Sequence, residues 1–266
     1  MAAILALYST VVYVLFLGTF LYAIGFVEGV LVPKTIDSGP AGGVPTAIVI
    51  DAVLLGIFAL QHSIMARPAF KRVWTRIVPE AAERSTYVLF ATAALALICW
   101  QWQPLPRLVW SVDQPTAAAV IRAISWGGWG ILLISTFLIS HWQLFGLSQG
   151  FGRLFGRAPH EHSNFATPFF YRWLRHPIYA GFILAFWAAP HMSVGHLLFA
   201  ALSTGYILVG IWFEERDLIA QFGERYESYR QRVGMLIPKL RGGFRTPVAQ
   251  GAATRPGVGG DAGRSV

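Results

Sequence analysis

Arginine, histidine, proline and tyrosine crowd into RWLRHPIYAG (residues 172–181), and two adjacent carboxylates open a second polar stretch, EERDLIAQFGERYESY (214–229). Pro177 suits the first turn of a helix, because its missing N–H would be unpaired there in any case. His176 then stands at the helix boundary, kept out of the helical region by the proline that follows it. Tyr179 falls within the first turn. The free N–H groups and positive dipole end of such a helix attract a carboxylate or a phosphate, and Arg172 and Arg175 flank the same point. Glu214 and Glu215 offer the opposite charge and suit a cation such as an ammonium group. A cationic helix start and an anionic helix end at one mouth would together grip a zwitterion.

Three further polar sets stand out. His141, Trp142, Gln143 and Gln149 follow a long apolar run, and Asp51 and His62 lie inside another. A charged carboxylate near mid-membrane costs about 2.5–3.5 kcal/mol, so Asp51 is expected near an interface or paired within a bundle. His160 and His162 flank Glu161, and His191 and His196 share a short turn, but neither pair has the i, i+4 spacing of helical metal ligands, and no metal site is expected. Phosphate-binding glycine loops, dinucleotide fingerprints and serine hydrolase elbows are absent from the sequence. GGWG (127–130) reads as a site of close helix packing.

The elements that must position these groups are membrane spans. Hydrophobic residues make up 55% of the 266, charged residues only 13%, and the apolar runs approach the roughly 20 residues that cross a bilayer core. Spans are expected at about 5–27, 46–65, 85–102 and 119–140, followed by a tight hairpin whose arms run from 177 to 189 and from 194 to 213. The first arm is short for a crossing. An amphipathic helix follows, with Leu218, Phe222, Tyr226, Tyr229 and Val233 at helical spacing, and Pro238 ends it. The fold class is therefore all-α: a polytopic membrane bundle of five to six segments with a C-terminal hairpin and a cytoplasmic amphipathic helix.

Charge orients the bundle. Eighteen of the 21 Lys and Arg residues fall in the loop 67–84, the loop 150–175 and the stretch after Phe213, and only Lys34, Arg107 and Arg122 fall on the other side. That asymmetry is expected to place both termini and both basic loops in the cytoplasm. It also accounts for the net charge of +8 without a nucleic-acid partner. The lone Cys99 rules out an intrachain disulfide. Three parts are expected: N-terminal spans (1–140), a cofactor-binding region (141–240), and a tail without apolar periodicity, read as disordered (241–266).

At Arg175, His176, Pro177, Tyr179 and Gly181, then Glu214, Glu215, Leu218, Phe222, Gly223, Tyr226 and Tyr229, the chain resembles the isoprenylcysteine carboxyl methyltransferase-like superfamily of membrane methyltransferases. Together with VPKTIDSGP, LQHSIMARPAFKR, PEAAERSTYVLF and HWQLFGLSQ, it is similar to the bacterial methanethiol S-methyltransferase branch over nearly its whole length. VGMLIP (233–238) departs from the prenyl-protein branch, which weakens a prenylcysteine substrate.

The resemblance implies S-adenosylmethionine as methyl donor and methanethiol as acceptor, with dimethyl sulfide as product, and a bacterial-type inner membrane as the location. It implies cofactor binding by Arg175, His176, Pro177, Tyr179, Gly181, Glu214 and Glu215. A thiol must lose its proton before it attacks. His141, His176 and Tyr171 are the candidates for taking it, and Arg172 and Arg175 for stabilising the thiolate. The competing readings are a methyltransferase for another thiol or an isoprenoid or lipid acceptor, a non-catalytic accessory protein like the denitrification-associated relatives, and an NADPH-dependent reductase.

Overall fold

The computed structural model describes residues 1–40, 42–152, 154–155 and 167–239. In chain order the helices are α1 (Ala2–Glu28), α2 (Val44–Ala66), α3 (Pro68–Trp74), α4 (Glu80–Gln101), α5 (Pro115–Ile139), α6 (His141–Leu144), α7 (Leu147–Gly152), α8 (Pro177–Trp187), α9 (Val194–Phe222) and α10 (Glu224–Arg232). Two short strands, β1 (Leu108–Ser111) and β2 (His191–Ser193), complete the set, with a 3-10 turn at Phe169–Arg172. Helices α1, α2, α4, α5 and α9 are long and apolar enough to cross a membrane, so the chain is a multi-pass, essentially all-α membrane protein.

Local chemistry sets the ends of these helices. Proline opens α2, α5 and α8 in the first turn, where no donor is lost. Ser193 caps α9 by accepting from His196 N at 2.9 Å. At the far end of α9, Gly223 takes a φ of 54°, a left-handed conformation that glycine adopts without strain. The last span therefore does not stop at Phe213: α9 carries Glu214 and Glu215 on for two more turns before Gly223 breaks it. Charged residues end the apolar stretch without ending the helix. The amphipathic pattern expected from 214 to 238 is accordingly split over the end of α9 and a separate α10.

Helix α8 has 11 residues, about 16 Å at 1.5 Å per residue, roughly half of a 30 Å hydrocarbon core. The chain completes the distance as extended backbone, which lipid would not tolerate with open hydrogen-bonding groups. Here β2 pairs antiparallel with β1, joining Leu108 to Ser193, Trp110 to Met192 and Ser111 to His191. Flanking bonds from Val112 N to Pro190 O, Val194 N to Arg107 O and Gly195 N to Leu105 O satisfy the neighbouring groups. A strand pair of this kind was not expected from the sequence.

Against α5, α8 packs almost backbone to backbone. A Cβ at Gly128 would lie 2.6 Å from Gly181 O, and one at Gly181 would lie 2.6 Å from Gly128 O. Within GGWG only Gly128 makes this close approach, with Gly181 as its partner; Gly127 and Gly130 have nothing within 4 Å. With α8 on α5 and α7 on α1, residues on both sides of position 140 share one bundle. Its core runs through Phe26, Trp102, Trp129, Phe186 and Phe199.

Candidate active site

The start of α8 and the last third of α9 meet at one end of the bundle, and their charged groups pair. Arg175 Nε lies 2.8 Å from Glu215 Oε1, and His176 Nε2 lies 3.1 Å from the same oxygen. The other oxygen, Oε2, faces Arg230 Nε of α10 at 3.5 Å. Glu215 and His176 are buried, so three nitrogen-bearing side chains surround one sheltered carboxylate. Glu214, one position earlier, turns outward: its side chain is 45% exposed and stands 3.7 Å from His176 Nδ1. The Tyr179 ring lies beside that of His176, with centroids 5.6 Å apart. Pro177 is buried, and no side chain caps α8, which leaves its first-turn N–H groups open.

A backbone strap holds this mouth together. Arg175 N donates to Gly234 O at 2.8 Å and His176 N to Met235 O at 3.2 Å, with a parallel bridge between Leu174 and Gly234. The Arg175 side chain also donates to Arg230 O at 2.8 Å, and Tyr229 OH to Tyr171 O at 2.6 Å. The VGMLIP stretch therefore forms one wall of the mouth. Arg230, Gly234 and Met235 were not among the candidates; their only signal was adjacency to the tyrosines of the second polar stretch.

The remaining candidates divide. Arg172 is exposed beside the mouth. Tyr171 is half-buried, and its phenol is raised well above the ordinary range by burial and then by Glu214 and Tyr229. Gly181 faces α5 and makes its contacts there rather than at the mouth. His141 is buried and makes its contacts with α1 and α5, with Nε2 2.8 Å from Tyr13 OH, Nδ1 2.9 Å from Thr136 Oγ1, and its ring stacked on Phe137 at 4.1 Å. Burial lowers its proton affinity. The pair His160 and His162 and the stretch from 241 fall outside the described residues.

Asp51 is fully buried about two turns into α2 from its strand-side end and accepts from Gln103 N at 2.8 Å, so the bundle pairs it internally. His62, near the other end of the same helix, lies among the rings of Phe58, Tyr87 and Tyr206.

Comparison with known proteins adds a direct likeness. The chain is 52% identical over 235 residues to methanethiol S-methyltransferase 1 of Bradyrhizobium diazoefficiens, covering 88% of this chain and 82% of that one. It is 51% identical over 232 residues to the methanethiol S-methyltransferase of Mycobacterium tuberculosis, covering 87% and 95%. A more distant likeness, 32% identity over 59% of this chain and 58% of the other, links it to nurim of Xenopus laevis. No protein-family model matches the chain, and no solved structure matches it either.

Proposed function

Because the chain belongs to the methanethiol S-methyltransferase family, we propose that it is a multi-pass membrane enzyme that methylates methanethiol to dimethyl sulfide. The observation that carries this reading beyond likeness is the mouth itself, where Arg175, His176, Glu214 and Glu215 converge from distant parts of the sequence.

The donor we assign is S-adenosylmethionine, which supplies a sulfonium methyl group open to in-line displacement. Its amino-acid end is a zwitterion, and the residues present fit one. The uncapped start of α8 and the exposed Arg172 suit its carboxylate. Exposed Glu214 suits its ammonium group, since Glu215 is already surrounded by Arg175, His176 and Arg230. In this reading Glu215 is the internal brace and Glu214 the ligand. His176 Nε2 faces a carboxylate that can only accept, so it donates and holds Glu215 in place. The enzyme works mainly by positioning donor and thiol in a site sheltered from water. The mouth faces the cytoplasm, where the charged donor is dissolved, as the Lys and Arg distribution indicates.

Headspace dimethyl sulfide from cells expressing the chain and fed methanethiol tests the reading, with His176→Ala as control. Production by the parent chain alone is the expected result. If the parent yields none while still binding S-adenosylmethionine, the acceptor is wrong; without donor binding, the methyl-transfer reading is wrong.

A further inference from the structure

Methyl transfer to a thiol needs a group that takes the S–H proton, and the three sequence candidates are ill placed for it. Both nitrogens of His141 are engaged, by Tyr13 and Thr136. His176 Nε2 is committed to Glu215. Tyr171 would have to act as a phenolate, which its surroundings disfavour.

His62 is different. Its Nδ1 is sealed from solvent and has no hydrogen-bond partner. Leaving a buried polar nitrogen unpaired costs about 1–3 kcal/mol, so a sequence that keeps one needs a reason. The ring stacks on Phe58 with centroids 5.2 Å apart and lies 5.1 Å from the Tyr87 ring and 6.5 Å from that of Tyr206. Those neighbours come from α2, α4 and α9 and form an apolar, aromatic surround suited to a methyl-bearing sulfur, which packs well against ring edges. The titratable and charged groups facing His62 are Tyr87 and Arg84 from α4 and Tyr206 from α9. Arg84 sits over the Tyr87 ring at 4.9 Å and adds positive potential.

This place adjoins the mouth. Ser63, next to His62, donates to Tyr206 OH of α9 at 3.3 Å, and Arg67, about one turn further along the chain, lies over the ring of Phe213 at 4.1 Å, immediately before Glu214. The imidazole and the exposed carboxylate therefore lie along the same pair of packed helices, α2 and α9.

We propose that His62 Nδ1 accepts the proton of the methyl-accepting thiol, which sits against Phe58, Tyr87 and Tyr206. The inference rests on the methyltransferase reading above. The S–H bond breaks and its proton moves to Nδ1, leaving the electron pair on sulfur. That pair forms the new S–C bond with the donor methyl group. The pair of the old C–S bond stays on the donor sulfur, which ends neutral, and His62 gives up its proton to solvent that enters as the product leaves. The tautomer required before reaction carries its proton on Nε2.

The test is initial rate against pH for purified protein in detergent, comparing the parent chain with His62→Gln and His62→Ala. Two thiols are used, methanethiol and the more acidic trifluoroethanethiol, and S-adenosylmethionine binding is measured separately by calorimetry. At neutral pH both variants are expected to lose about 100-fold or more in kcat/KM for methanethiol, the usual range for a general base, while donor binding is unchanged. The deficit shrinks as pH rises and is smaller for trifluoroethanethiol, because solution then supplies thiolate. Added imidazole restores part of the His62→Ala rate.

Variants as fast as the parent overturn the proposal. So does a deficit of equal size at every pH and with both thiols, or one accompanied by lost donor binding, since each marks a structural residue. A parent chain that makes no dimethyl sulfide sinks the functional reading instead.

Discussion

Two sets of acidic side chains lie at opposite ends of this bundle, and they are held in different ways. At the strand end, Glu28 accepts from Ser125 Oγ at 2.6 Å and Trp129 Nε1 at 2.7 Å, Asp51 from Gln103 N, and Asp37 from Ser193 Oγ. Every donor is neutral and belongs to a different element from its acceptor. At the mouth, Glu215 is instead ringed by Arg175, His176 and Arg230, and Glu214 stays exposed. Neutral donors fasten helices without building a field. Clustered cations around one carboxylate set a local potential and leave its neighbour available to a ligand. One end is suited to hold shape, the other to bind.

The sharpest way to break this contrast is Glu215→Ala. Removing one partner from a sheltered ionic cluster typically costs 3–5 kcal/mol, and about that loss is expected in thermal or denaturant unfolding in detergent, with donor binding gone. Unaltered stability would show that Glu215 is not a brace. Next comes Glu28→Ala, which strands Trp129 Nε1 while Ser125 Oγ keeps Ala185 O at 2.9 Å, and is expected to cost about 1–3 kcal/mol. Its donor affinity should equal that of the parent; a parallel fall would mean the two ends do not act separately.

Glu214→Gln inverts that pattern. Stability should hold while donor affinity drops by about tenfold, or about 1.4 kcal/mol, as read by calorimetry. Normal binding by this variant would remove Glu214 from the zwitterion site.

The smallest effect concerns acid. Burial lowers the proton affinity of His141 in the folded chain, so near its ordinary value of about 6.5 the unfolded chain binds more protons. Stability should therefore fall as pH drops through that range, and His141→Gln should flatten the fall. A variant as acid-sensitive as the parent would assign the effect to other groups.

Much of this architecture is written locally in the sequence. Apolar length marks the five long helices, and Pro177 marks the start of α8 because the proline effect acts on its immediate neighbours. The end of α9 is not written that way. Glu214, Glu215, Arg216 and Asp217 stop an apolar run, yet all are compatible with a helix, so the boundary moves on to Gly223. The β1–β2 pair is three or four residues long and depends on partners about 80 positions apart, beyond the reach of any local pattern. The mouth was legible in its own side chains, but its wall was not, since Gly234 and Met235 contribute backbone carbonyls and carry no distinguishing chemistry. His62 is visible in the sequence as an isolated histidine in an apolar run. What sets it apart, three rings and an empty nitrogen, comes from three helices.

The strap from Gly234 and Met235 to Arg175 and His176 also bears on biosynthesis. A nascent chain that has threaded all its long helices into the bilayer still lacks the two carbonyls that secure the start of α8. Until those residues leave the ribosome, the charged groups of the mouth have no fixed wall behind them. Completion of the mouth is thus a late event in translation, separate in time from membrane insertion, and a message truncated between the two would yield an inserted protein whose mouth lacks its wall.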